Sequence, residues 1–112
     1  MNYPIDKSNI QTQSFKFEIT DKSELVGRIY LHVIHNATHK EPYGLMADLI
    51  VEEKFRGQGF GTKLVQTVID EAKRIGCYKL LSTVRSSKEQ VHAWYEKMGF
   101  KNWGTELRMD FR

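Results

Sequence analysis

Residues 51–75, VEEKFRGQGFGTKLVQTVIDEAKRI, join the end of an apolar strand to a glycine-rich loop and an amphipathic helix. After the loop, apolar side chains recur at helical spacing and charged ones fill the other side. The apolar positions are Leu64, Val65, Val68, Ile69, Ala72 and Ile75. Because the first N–H groups of a helix have no intrahelical acceptor, bare glycine backbone there favours a bound phosphate. The stretch therefore predicts an anion site where a strand passes into a helix.

The composition is that of one ordinary globular domain, which we expect to occupy residues 1–112. Hydrophobic residues make up 40% and charged residues 28%, and the net charge of +3 is spread along the chain. No apolar run approaches the ~20 residues that span a bilayer, and the N-terminus MNYPIDKSNI lacks the core of a signal peptide. The single cysteine, Cys77, indicates a reducing compartment. We expect a cytoplasmic protein without a membrane partner.

Hydrophobic periodicity predicts the element order β-β-β-α-β-α-β-β. Alternating residues from Ser14 and again from Leu25 to Ile34 predict a hairpin across a short polar turn that lacks an Asn-Gly signal. The run YGLMADLIV predicts a central strand covered on both faces, and Gly76 and Gly99 are the expected ends of two helices. The other predicted strands cover residues 80–84, 100–103 and 106–111. This order predicts an α+β fold, or α/β with a mixed sheet.

Two familiar nucleotide-binding loops do not match the glycine-rich stretch. A dinucleotide fingerprint needs G-x-G-x-x-G and an acidic residue about 20 positions later. Here the spacing is G-x-G-x-G, and Arg85 follows the next predicted strand. The Walker pattern G-x-x-x-x-G-K-[ST] is absent.

The six residues Arg56-Gly57-Gln58-Gly59-Phe60-Gly61 resemble the R/Q-x-x-G-x-G/A motif of the GNAT-type N-acetyltransferase superfamily. Upstream, DLIV at 48–51 resembles the strand of that family that pairs with pantetheine. Downstream, WYEKMGF at 94–100 resembles its closing Y-E-K-x-G-F signature. The resemblance covers roughly residues 25 to 111. It implies the GNAT-like acyl-CoA N-acyltransferase fold, a central mixed sheet with a splayed strand pair flanked by helices.

The resemblance also implies acetyl-CoA as co-substrate and no metal. The loop backbone would hold the pyrophosphate, and the residues carried over are Arg56, Gly57, Gln58, Gly59, Phe60, Gly61 and Thr62. The strand before the loop would pair with the pantetheine arm through Leu49, Ile50 and Val51, beside a bulge and a splay. The family often has an asparagine where this chain has Lys88, which could instead meet a cofactor phosphate or remain a solvated charge.

Tyr95 and Asp48 are the candidate catalytic residues. The resemblance places the Tyr95 hydroxyl near the thioester sulfur, where it would protonate the departing thiolate. The alternative is that Tyr95 packs beside Trp94 in the core. Asp48 is the candidate acceptor of the proton of the amine, or else a structural carboxylate in an apolar strand. Reserve bases are Glu52, Glu53, His32 and Tyr43.

The resemblance favours transfer of an acetyl group to a primary amine by direct attack, and a non-catalytic acyl-CoA-binding or sensing module is the alternative. Family members usually have one or two helices between the first strands, and this chain has only a turn. Either the acceptor site is open to a small-molecule or protein amine, or a second copy completes it in a homodimer. The strands lack the basic-aromatic pattern of an RNA-binding sheet, which disfavours nucleic acid. His32, His35 and His39 lack the pattern of a metal site.

Overall fold

The computed structural model describes residues 2–84 and 88–112. Its internal contacts form two compact units, Met1–Ser82 and Thr83–Arg112. The first unit carries the sheet and the glycine-rich loop, and the second carries the segment with the Tyr95 signature. One domain over residues 1–112 stays a prediction.

The first unit is a four-stranded mixed sheet with one long helix. The strands are β1 (Thr12–Asp21), β2 (Glu24–Ile34), β3 (Tyr43–Val51) and β4 (Leu80–Leu81), and they lie side by side in that order. The first two pairs are antiparallel and β3–β4 is parallel. Helix α1 (Phe60–Ile75) connects the two parallel strands, as such a pair requires. The mixed sheet and the β-α-β unit predicted from the sequence are confirmed.

The core of this unit lies between β2 and α1. Ile29, Leu31 and Val33 alternate along β2 and are fully buried. The apolar stripe of α1 supplies Leu64, Val65, Val68 and Ala72. Each large aliphatic side chain buried in this way contributes roughly 1.5–3 kcal/mol. Arg28, Tyr30 and His32 alternate with these residues and are half-buried, so β2 presents polar side chains on the opposite face, which is called the polar sheet face below.

The β1–β2 turn is tighter than its sequence suggests. Asp21 pairs with Glu24, so only Lys22 and Ser23 form the loop, with φ of 50° and 69°. Two successive residues at positive φ are the geometry that matches the twist of a hairpin, for which Asn-Gly is the usual sequence. Strand β3 has the predicted bounds, but its outward residues are half-buried or exposed, so full cover of both faces was wrong.

The second unit contains helix α2 (Glu89–Lys97), followed by Gly99 at a φ of 106°. The two strands predicted at 100–103 and 106–111 are wrong, since no strand occurs among described residues 88–112. Leu107, Met109 and Phe111 alternate as a strand would, yet Phe111 is 91% exposed. Alternation supplies an apolar face, but a strand also needs a neighbouring ladder of N–H and C=O groups.

Strand β4 is shorter than predicted, at Leu80–Leu81 rather than residues 80–84. Its pairing with β3 stops after two residue pairs. In the part of the chain that the structure describes, neither helix is long and apolar enough to cross a membrane.

Gly27 is required by a close approach between β2 and β3. A Cβ at this position would lie 2.8 Å from the Ile50 carbonyl oxygen and 3.1 Å from Leu64 Cδ1. Since a backbone oxygen cannot move without shifting β3, Gly27→Ala is expected to lower the free energy of unfolding by about 1–3 kcal/mol. Gly104→Ala is the control, because its Cβ would meet no atom within 4 Å. Urea denaturation measures both, and equal stabilities would contradict this packing.

Candidate functional site

Strands β3 and β4 are closed at one end and open at the other. Their parallel ladder holds only the pairs Gly44–Leu80 and Leu45–Leu81. At the closed end, Tyr78 N–H donates to the Pro42 carbonyl, and the Lys79 ammonium lies 5.3 Å and 5.2 Å from the Tyr43 and Tyr78 ring centroids. Beyond Leu45, no described residue of β4 pairs with β3. The expected splay is therefore present.

The open edge of β3 presents backbone groups of Leu49 and Val51. Glu52 N–H donates to the Val26 carbonyl across the antiparallel β2–β3 ladder. Successive residues of a strand point their N–H and C=O groups to opposite sides. Val51 and Leu49 therefore direct theirs away from β2, toward the side from which β4 has departed. Such an edge can accept an extended amide-bearing ligand as an added strand.

A β-bulge lies in β3 just before this edge. The β2–β3 register shifts between Arg28 and Tyr30, which pair with Ile50 and Ala47, so Asp48 and Leu49 oppose the single residue between them. Asp48 is exposed and has a φ of 54°, in the left-handed region that costs a non-glycine residue roughly 1–2 kcal/mol. Arg28 Nη1 donates to the Asp48 carbonyl oxygen at 2.9 Å. The expected bulge is present, and an arginine of the neighbouring strand holds it.

The glycine-rich loop leads into the start of α1 with its backbone exposed. Gly57 and Gly59 have φ of 79° and 89°, and a Cβ on either would meet nothing within 4 Å. The space beside them is therefore open, and no acidic side chain lies in the first turn of α1. The first backbone hydrogen bond of the helix runs from Lys63 N–H to the Gly59 carbonyl. The N–H groups before it and the helix dipole favour an anion here.

Two aromatic rings and one arginine brace the loop. Phe55 and Phe60, at its two ends, meet edge to face with centroids 6.1 Å apart. Arg56 Nε donates to the Val51 carbonyl at 2.9 Å, on the open edge of β3. Arg56 thus ties the glycine-rich loop to the strand edge, a structural contact in addition to its predicted place in the cradle. Phe60 supplies a packed ring as well as an N–H group, while Gln58 and Thr62 are exposed.

The structure brings Asp48, residues 49–51 and residues 56–62 together in the first unit, whereas Tyr95 and Lys88 belong to the second. Tyr95 is buried, with its ring centroid 4.9 Å from that of Trp94 and 5.4 Å from that of Phe100. Tyr95 therefore packs beside Trp94, and its catalytic role stays a prediction. Lys88 occupies the position before α2, where its carbonyl accepts from the N–H groups of Val91 and His92. Arg85 lies outside the described residues.

Two of the three histidines named in the sequence, His32 and His39, contact different residues. His32 Nδ1 lies 2.7 Å from Ser14 Oγ on the polar sheet face, and the His39 ring lies 4.2 Å from that of Tyr78. Among residues 2–84 and 88–112, no group of three or more His, Cys, Asp or Glu side chains is arranged to hold a metal ion.

Sequence reasoning missed Arg28 and the pairing of Phe55 with Phe60. The two phenylalanines flank the glycines at 55 and 60, which was a usable signal. No sequence signal marked Arg28, because it occupies an ordinary polar position of an alternating strand and its partner is a backbone oxygen.

Asp48 allows the backbone and carboxylate contributions of one residue to be separated. Asparagine and glycine adopt positive φ readily, whereas a β-branched residue does not. Asp48→Asn is therefore expected to unfold within about 0.5 kcal/mol of the parent, and Asp48→Val to lose about 1–2 kcal/mol. Both substitutions remove the carboxylate charge and differ in how readily the new residue adopts positive φ, so Asp48→Asn is the control for Asp48→Val. Urea denaturation with equal midpoints for the two variants would contradict the strained bulge.

Comparison with known proteins agrees with this arrangement. The profile of the Acetyltransferase (GNAT) family matches residues 3–100. A glucosamine 6-phosphate N-acetyltransferase from Trypanosoma brucei brucei is 31% identical over 67 residues, which are 60% of this chain and 44% of that protein. N-alpha-acetyltransferase 30 from Schizosaccharomyces pombe is 29% identical over 91 residues, 80% of this chain and 59% of that protein. The chain thus spans about half the length of these relatives.

Solved structures with a similar fold also include a glucosamine-6-phosphate N-acetyltransferase. The crystal structure of glucosamine-6-phosphate N-acetyltransferase from Arabidopsis thaliana superposes with a TM-score of 0.79 at 22% identity, covering 88% of this chain and 67% of that one. At this identity the likeness concerns the fold alone. It places the sheet, the glycine-rich loop and α1 in a known architecture.

Proposed function

Since this chain belongs to the GNAT family of acetyltransferases, we propose that it transfers the acetyl group of acetyl-CoA to a primary amine by direct attack. The observation that carries the proposal is the glycine cradle at the start of α1 beside the open edge of β3. One accepts an anion, and the other accepts amide groups in an extended chain. Coenzyme A combines these two chemistries in one molecule, a pyrophosphate followed by the two amides of pantetheine.

The residues present fit this co-substrate. The pyrophosphate would meet the N–H groups of residues 59–61, where the space beside Gly57 and Gly59 is open. The pantetheine arm would pair with Leu49 and Val51. Arg56 lies between the two, with its Nε on the Val51 carbonyl, so it keeps the edge and the cradle in a fixed relation. Bound acetyl-CoA would supply a thioester carbonyl as the acceptor of a nucleophile.

In the proposed reaction the amine nitrogen forms a bond to the thioester carbonyl carbon and the carbon–sulfur bond breaks. The amine loses a proton to Asp48, directly or through water, and Tyr95 protonates the departing thiolate. Asp48 is supported by its exposure at the bulge. Tyr95 is supported by its place in the YEKMGF segment.

Direct attack is favoured over transfer through an enzyme thiol. Cys77 is the only cysteine of the chain, and burial raises the pKa of its thiol. A thiol with a raised pKa stays protonated near neutral pH and is a poor nucleophile. Cys77 also lies beside Gly44 at the closed end of the strand pair, since a Cβ on Gly44 would be 3.8 Å from its Sγ.

The acceptor is proposed as a class, a small molecule or a protein carrying a primary amine. The relatives include a glucosamine 6-phosphate N-acetyltransferase and an N-alpha-acetyltransferase, so an amino sugar phosphate and an α-amine both belong in a test. We also propose that a second copy of the chain completes the acceptor site in a homodimer. The proposed location is the cytoplasm.

The test has two stages on the wild-type chain. Calorimetry first measures binding of acetyl-CoA. Pantetheine, which lacks the pyrophosphate, is the control. Release of free thiol is then followed with glucosamine 6-phosphate, an aminoalkylphosphonate, an aminoglycoside and a peptide with a free N-terminus. We expect binding and turnover of at least one acceptor. Binding without turnover on the panel would favour a sensing module, and absence of binding would refute both.

Gly59→Ala tests the cradle against a matched change at the other end of the same helix. Gly59 and Gly76 flank α1, with φ of 89° and 96° and open space at the Cβ position. Alanine therefore costs about 1–2 kcal/mol of stability at either position. Only at Gly59 does the methyl group enter the proposed phosphate site, so only Gly59→Ala should raise the Kd for acetyl-CoA, by about tenfold or more. Equal Kd values for the two variants would argue against the cradle.

Tyr95→Phe tests the proposed acid. The ring packing against Trp94 and Phe100 is retained, so acetyl-CoA should bind as before, while thiol release slows by about a hundredfold. Tyr3→Phe, at an exposed position, is the control for loss of a phenol hydroxyl. If Tyr95→Phe releases thiol at the parent rate, Tyr95 has no part in the chemistry.

A further inference from the structure

We infer that Arg28 is a positioning residue for the co-substrate, acting through the β3 bulge and not through contact with acetyl-CoA. Its Nη1 donates to the Asp48 carbonyl at 2.9 Å, and that carbonyl belongs to the residue at positive φ. The inference rests on the proposed function for its consequence, since the edge that the bulge presents is the proposed pantetheine site.

The guanidinium of Arg28 has a second contact besides its hydrogen bond to Asp48. Its central carbon lies 5.2 Å from the Tyr30 ring centroid, a cation–π contact. Tyr30 stacks in turn on His32, with an interplanar angle of 2°, and His32 bonds Ser14 on β1. A row of contacts across the polar sheet face thus ends on one carbonyl oxygen of β3.

That oxygen needs a donor because the bulge removes it from the regular ladder. The β2–β3 pairing resumes at Ile50 opposite Arg28 itself. Arg28 therefore spans the irregularity, paired through its backbone on one side of it and bonded through its side chain to the other. Without this bond, Asp48 would be free to leave positive φ. The register of residues 49–51 against β2 would then slip, and with it the groups on the open edge.

The test is a double-mutant cycle on acetyl-CoA binding by calorimetry. Arg28→Met keeps the apolar stem and removes the donor, and is expected to raise Kd by about tenfold, the value of a charge-assisted hydrogen bond. Asp48→Gly adopts positive φ without help. Its Kd should stay within about twofold of wild type, although its turnover falls if Asp48 is the base. The double variant should then bind about as Asp48→Gly does, because the bulge no longer needs Arg28.

Controls separate this inference from simpler outcomes. Arg74→Met removes an exposed arginine that bonds Glu71 within α1, and should leave Kd unchanged. If Arg28→Met does not fold, Arg28→Lys, which keeps the charge with a single donor atom, carries the same cycle with a smaller effect. The inference is overturned if Arg28→Met binds acetyl-CoA with the wild-type Kd. It is also overturned if the variant with both Arg28→Met and Asp48→Gly binds as weakly as Arg28→Met alone.

Amide hydrogen exchange without ligand distinguishes this failure from failure of the proposed function. Arg28→Met should speed exchange of the Glu52 N–H, whose acceptor is the Val26 carbonyl beyond the bulge, more than that of amides in the β1–β2 ladder. If the wild-type chain binds no acetyl-CoA but this local change is found, the proposed function fails and the role of Arg28 in the bulge stands. Uniform exchange across both ladders refutes that role.

Discussion

The open edge of β3 is the constraint on which the rest of the arrangement depends. A parallel strand pair would normally satisfy that edge along its whole length, but here the ladder with β4 ends after Leu45. The bulge at Asp48 then sets which backbone groups face outward, and Arg56 bonds one of them. An edge that no described strand covers beyond Leu45, beside the glycine-rich loop, is a liability in a stable protein unless a ligand uses it. Its presence is therefore the strongest structural argument for an extended, anionic ligand.

The buried residues that stabilise the first unit are separate from the loop and the β3 edge. Burial is concentrated between β2 and α1, where the branched residues of the strand meet the apolar stripe of the helix. The loop and the β3 edge lie at the margin of this core, braced by the Phe55–Phe60 contact and two arginine-to-carbonyl bonds. This separation allows substitutions at the site to be tested for binding with limited effect on the core.

What the sequence predicted well was local. The strand–loop–helix junction follows from apolar runs on either side of a glycine cluster, and both helix ends follow from glycines at 76 and 99. The errors concern pairing, which depends on residues distant in sequence. The ladder of β4 with β3 holds only Leu80 and Leu81, and residues 106–111 alternate without a partner strand in the described chain. The Arg28–Asp48 bond was beyond prediction for the same reason, since it joins a side chain to a carbonyl 20 positions away.

Amide hydrogen exchange of the wild-type chain with and without acetyl-CoA measures most directly whether the open edge of β3 and the glycine-rich loop hold one ligand. If the open edge and the cradle hold the two halves of the co-substrate, protection should rise at the N–H groups of Leu49 and Val51 and of residues 59–61 together. The β1–β2 ladder, which the ligand does not touch, should exchange as before. Binding that protects the glycine loop but leaves Leu49 and Val51 unchanged would contradict the account, because the anion would then be held without the strand edge.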